Sequence, residues 1–187
     1  MTATGPVWDR PREGWTCQEC AFSFDATEPT AVTESIAKTG KRLRAPLTRG
    51  LKDEDLDAVL RTRPEPDQWS ALEYACHIRD VLELNVERFE ALAASDGAPE
   101  FVGLNPDQAV IDRDYNAQDP AVVADRIDAL AAELAAAMTR VPADGWQRFG
   151  TRGELVFTLD WMARNVQHEV DHHLLDIGRT MRHVRGR

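Results

Sequence analysis

The sequence predicts an all-α protein, a four-helix bundle with long crossover loops and an additional N-terminal leader. Three observations predict it. Four long segments open on helix-starting signals, prolines and glycines punctuate the stretches between them, and the first two connections run to roughly twenty residues, too long for the short turns of an up-down-up-down bundle. Residues 1–28 form the leader and carry Cys17-Gln18-Glu19-Cys20, and residues 29–187 form the bundle. The first helix, 29–47, has Pro29 near its start and Lys41, Arg42 and Arg44 toward its end, where cations suit the helix dipole. A short helix over 54–60 and a Pro64-Glu65-Pro66 breaker lead to the second, 70–94, which opens on a Ser70/Glu73 capping box. Gly97, Pro99, Gly103 and Pro106 mark a long loop. The third helix, 120–140, starts at Asp119-Pro120 and stops before Pro142; residues 145–157 read as a small extended segment, and Thr158 caps a fourth helix over 159–183.

Composition narrows the function classes. A chain of 187 residues is one domain's worth and buries roughly 70% of its unfolded surface. A net charge of −10 opposes a nucleic-acid partner, because phosphate binding needs a basic surface. Residues 1–15 hold no apolar stretch of signal-peptide kind, and the most apolar run, around 130–138, is broken by Glu133, so the expected location is the cytoplasm, away from membranes. Arginine outnumbers lysine nineteen to three, a bias that suits a GC-rich genome and a mycothiol-using actinobacterial host.

The string His168-Glu169-Val170-Asp171-His172 carries the chemistry. Imidazoles four residues apart on a helix point to one side, roughly 40° apart and about 6 Å along the axis, as two ligands of one metal do. The string also matches the zinc-protease HExxH pattern, in which the glutamate is the general base. Its downstream completion fails, since Leu175 and Gly178 stand where a glycine and a third histidine are needed. A third ligand must come from upstream. Of five histidines, His173 adjoins the pair and His183 lies in the tail, which leaves His77 in the second turn of the second helix.

Trp69, the capping Ser70, His77, Asp80 three residues on, and HxxxH on the last helix together resemble the DinB/YfiT-like superfamily of metal-binding four-helix bundles, over about residues 30–182. The resemblance implies that His77, His168 and His172 hold one divalent ion, zinc first, with nickel or iron as alternatives, and leave positions open to water or substrate. It also implies an activity, since metal acidifies a bound water or thiol. Relatives include thiol transferases and isomerases that use bacillithiol or mycothiol, and a metal-dependent low-molecular-weight thiol transferase or isomerase is the reading it favours. A metal-dependent hydrolase with Glu169 as base is the first alternative, and a non-catalytic metal- or ligand-binding bundle the second. Related iron-dependent sulfoxide synthases carry a glutamate two residues after the second histidine; Leu174 stands there, which counts against oxygenase chemistry. Bundles of this kind often form homodimers.

Around this triad the sequence offers further candidates. Glu169 is a base or a supporting carboxylate, and Asp80 either orients a ligand or metal-held water or is merely exposed. Arg164 and Asn165 suit an anionic small-molecule substrate, with a salt bridge as the plainer role for Arg164. Tyr115, within 112–119, lines the lip of a cleft or belongs to a polar loop. His173 reads as a flanking residue, and Cys76 as core. The Cys17/Cys20 pair reads as a second metal site, a redox pair or a plain leader; as a zinc site it is half-built unless it recruits His or Asp or pairs across a dimer. The main apolar row of the fourth helix, Leu159, Met162, Val166, Val170, Leu174, Ile177 and Met181, lies roughly opposite His168. Either this helix is buried on two sides or its histidines face an open cleft.

Overall fold

A computed structural model of the chain describes residues 14–25, 27–95 and 97–187. The helices are α1 (Pro29–Ala37), α2 (Thr39–Thr48), α3 (Leu56–Arg61), α4 (Ala71–Ala94), α5 (Pro106–Asp112), α6 (Pro120–Thr139) and α7 (Leu159–Val184); before α7 comes a hairpin of β1 (Phe149–Arg152) and β2 (Leu155–Thr158). The bundle is built from α1 with α2, then α4, α6 and α7. Its four starts follow from local chemistry. Pro29 opens α1, and Asp119 accepts hydrogen bonds from the Ala121 and Val122 amides ahead of α6. Thr158 Oγ1 accepts from the Trp161 amide at 3.1 Å to start α7. At α4 the capping box closes in both directions, Glu73 N donating to Ser70 Oγ at 3.2 Å and Ser70 N to Glu73 Oε2 at 2.7 Å, with Arg63 paired to the buried Glu73 at 2.6 Å.

Packing gives the topology. Helix α4 lies against α6 and α7, and the α1–α2 pair also lies against α6 and α7, with little contact between α4 and α1–α2 or between α6 and α7. Around the bundle the order is therefore α1–α2, α6, α4, α7. The first and third connections join diagonal helices; the second, although long, joins the neighbours α4 and α6. Crossovers were expected at the first and second, and the third takes that role because its hairpin carries the chain across to α7. Gly153, with φ +58°, makes the left-handed corner of that hairpin.

Two further differences from the sequence reading are local. The helix expected over 29–47 breaks at Lys38, whose amide reaches back only three residues, to Ser35 O at 3.1 Å. The break is where Gly40 meets α6. The stretch after Gly103 also contains α5, started by Asn105, whose side chain accepts from Gln108 N, and by Pro106.

The core of leucines, isoleucines and alanines contains Leu43, Leu72, Leu82, Ile127, Leu134 and Val166, all under 1% exposed. Embedded with it is an unusual set of polar groups: His77, Asp80, His168, His172 and His173 are each 7% exposed or less. Helix α7 is buried on two sides. Its apolar row faces the bundle, and the opposite side is covered by residues 14–25, which fold back through an antiparallel bridge between Thr16 and Ser23.

The α2–α6 approach can be tested at Gly40, where an added Cβ would lie 2.6 Å from Asp128 Cα, a backbone atom that cannot swing aside. Gly40→Ala is expected to destabilise the bundle by about 1–3 kcal/mol, read from urea unfolding, despite the better helix propensity of alanine.

Candidate metal centre

Helices α4 and α7 bring their ionisable residues together near the start of α4. On α7, Glu169 and His173 are one turn apart and flank the apolar row, so they turn inward toward His77 on α4. Glu169 Oε2 lies 3.6 Å from His77 Nε2 and 3.4 Å from His173 Nε2. The three residues each offer a ligand atom within 4.8 Å of the others. Bonds of about 2.0–2.2 Å to a single ion span such separations. The rings of His77 and His173 meet edge to face at 4.9 Å, Trp69 borders His77 at 5.3 Å, and Tyr74 stacks on His173 at 5.3 Å. On its far side His173 Nδ1 lies 3.0 Å from Asp176 Oδ2, which fixes the ring and leaves Nε2 facing the other two donors.

Electrostatics keep this cluster charged. Burial raises the Glu169 carboxyl, but the close His173 and His77 rings outweigh it and hold the group well below the usual carboxylate range. Burial likewise lowers the His173 imidazole, and its bonds to Asp176 and Glu169 more than offset this, raising it to about 9. Glu169 is thus an anionic donor at neutral pH. A divalent cation binding here would displace the His173 proton, after which two imidazoles and a carboxylate would be its donors.

The expected triad does not assemble. Among the described residues no set of converging donors contains His77 with both His168 and His172. Those two histidines look to the other side of α7, where they converge with Cys17 and Cys20, again within 4.8 Å of one another. The reason is the 100° step of the helix: one residue of register separates the pair facing α4 from the pair facing the N-terminal segment. His173, read as a flank, stands in the inward group, and Asp176 was not singled out at all. The signal for both was present, since Glu169 and His173 repeat the i, i+4 spacing one residue along, and Asp176 follows His172 and His173 by four and three.

Other candidates take structural places. Asp80 is 3% exposed and held by Arg79 at 2.6 Å, Arg113 at 2.8 Å and the Tyr115 hydroxyl, so it is not an exposed residue. Tyr115 is fully buried; donating to Asp80, it forms no lip. Arg164 pairs with Asp160 at 3.1 Å and donates to Phe24 O at 2.6 Å, which ties down the N-terminal segment and leaves the plainer reading for this residue. Asn165 is half-buried on α7, one turn before Glu169. Cys76 is core, its thiol directed at Tyr115 O at 3.6 Å. Burial pushes the Cys20 thiol up to about 11, opposite to the depressed values of reactive CxxC pairs.

Comparison with known proteins agrees with the architecture. The fold matches that of YfiT from Bacillus subtilis, described as a probable metal-dependent hydrolase with an unusual four-helix bundle topology, with a TM-score of 0.74 at 15% identity over 92% of this chain and 91% of that one. No curated protein matches the sequence. No helix among the described residues is long and apolar enough to cross a membrane. The sequence matches the DinB superfamily over residues 37–176, three quarters of its length, and the chain belongs to that superfamily.

Proposed function

We propose that this protein is a divalent-metal-dependent enzyme whose cation is held by His77, Glu169 and His173. The observation that carries the reading is the convergence of His77 Nε2, His173 Nε2 and the anionic Glu169 carboxylate between α4 and α7. When bound, a divalent cation supplies Lewis acidity to a nucleophile or electrophile entering its remaining positions. The chain supplies the positioning. Asp176 orients His173, and the Trp69 and Tyr74 rings border the histidines with apolar surface.

None of the three cysteines joins this donor set: Cys76 faces Tyr115 O, and Cys17 and Cys20 lie on the other side of α7. No cysteine of the chain therefore serves as the nucleophile at this site. A low-molecular-weight thiol is the nucleophile that the DinB resemblance favours, which makes the protein a thiol S-transferase or isomerase. Water is the second reading, favoured by the two-histidine, one-carboxylate set also used by hydrolytic zinc sites and by the description given to YfiT. As a donor to the cation, Glu169 is not free to act as the base in either case.

Conjugation of an electrophile such as monochlorobimane, requiring both mycothiol and added metal, supports thiol transfer; metal-dependent turnover of an ester panel without thiol supports hydrolysis. His77→Ala and His173→Ala are each expected to lose this cation and any metal-dependent turnover, and Glu169→Gln to weaken binding strongly, whereas His168→Ala retains this cation. Elemental analysis of the folded variants checks this, and retention of the full metal content by His77→Ala contradicts the assignment. Asp176→Asn, which removes a carboxylate that orients His173, is expected to lower metal affinity by about 10–100-fold in competition with a chelator.

A further inference from the structure

The opposite side of α7 carries a second, differently built cluster. His168 is 3% exposed, and neither of its ring nitrogens has a hydrogen-bond partner among the described residues. A buried imidazole left in this state is costly. Its ring is walled by Trp15 at 4.9 Å and Phe22 at 5.6 Å, both from the N-terminal segment, and among the described residues the metal-ligating side chains that converge with it are Cys17, Cys20 and His172. Cys17 Sγ is 3.5 Å from His172 Nδ1. Around a tetrahedral zinc ion, bonds of about 2.3 Å to sulfur and 2.0–2.1 Å to nitrogen put those two atoms about 3.6 Å apart.

We infer that Cys17, Cys20, His168 and His172 form a closed tetrahedral zinc site that fastens the N-terminal segment to the outer side of α7. Two thiolates neutralise the ion, and four protein ligands leave no position for substrate, which sets this site apart from the three-donor site facing α4. The segment is shaped for it. From Cys17 to Phe22 the chain turns back sharply, with Ala21 N donating to Cys17 O at 3.0 Å, Cys17 N to Phe22 O at 2.9 Å, and Ala21 in the left-handed region at φ +59°. Salt and hydrogen bonds hold both arms of the turn: Arg179 pairs with Glu19 at 2.6 Å, and Arg164 reaches Phe24 O at 2.6 Å. A disulfide between the cysteines would leave both His168 nitrogens without partners, whereas a shared ion would take one of them and use all four residues as ligands. His172 Nε2 faces Asp176 Oδ2 at 3.6 Å, so the carboxylate that orients His173 for one ion also backs a ligand of the other.

Cobalt(II) substitution of the full chain tests this with a readout that only thiolate ligation moves. The expected result is an intense near-ultraviolet sulfur-to-cobalt charge-transfer band, lost in the Cys17→Ser/Cys20→Ser double variant, weakened or shifted in His168→Ala as the four-ligand set is broken, and unchanged in His77→Ala, which separates this site from the proposed enzymatic one. Absence of the band in the wild type overturns the inference, as does its full survival in His168→Ala. Wild-type protein gives a second test that needs no variant. With zinc bound, Cys17 and Cys20 are expected to resist alkylation and the segment to resist proteolysis, both protections being lost with a strong chelator; alkylation and cleavage that proceed equally with and without zinc contradict it.

Discussion

Everything distinctive in this protein depends on how α7 disposes its polar side chains. Within the nine residues from His168 to Asp176 the helix carries three imidazoles and three carboxylates, and it is buried on both sides. A step of 100° per residue divides these groups into two adjacent i, i+4 pairs, Glu169 with His173 and His168 with His172. Neither pair can be buried alone at low cost. The first pair meets His77 across the bundle, and the second meets two cysteines brought back by the N-terminal segment. Contacts from α4 and from the N-terminal segment thus surround these donors.

The bundle gives the inward pair a firm partner. His77 lies in the second turn of α4, a helix fixed at its start by the reciprocal Ser70/Glu73 cap and by Arg63 on Glu73. One turn further on, Asp80 binds Arg79, Arg113 and Tyr115 and so ties α4 to the loop before α6. These ion pairs to buried carboxylates hold a donor of the candidate site on a rigid element, the arrangement that ligand geometry requires. Asp176 then joins the two sides of α7, touching His172 and His173 alike.

The helices were legible because their signals are local. The Ser70/Glu73 box, Asp119-Pro120 and Thr158 act through atoms within a few residues, and each marks a helix start in the structure. The site was legible only in part. His77 and the donor-rich stretch of α7 could be singled out, but the choice of register favoured two like residues, His168 and His172, over the mixed pair Glu169 and His173. The sequence held the means to choose otherwise: Met162, Val166, Val170, Ile177 and Met181 define the side of α7 that faces the core, and His168 lies roughly opposite them. Residues flanking that row reach across the bundle; residues opposite it need a cover. Tyr115 and Asp80 were misplaced for another reason, since their burial depends on each other across 35 positions and no local pattern records it. The contact of Cys17 with His172 spans 155 positions and is invisible in the same way.

The most direct measurement is an anomalous-difference map from crystals of zinc-loaded protein collected at the zinc edge. The account predicts two peaks per chain, one with bonds of about 2.0–2.3 Å to Cys17, Cys20, His168 and His172 and the other bound by His77, Glu169 and His173. A single peak ligated by His77, His168 and His172 would contradict it.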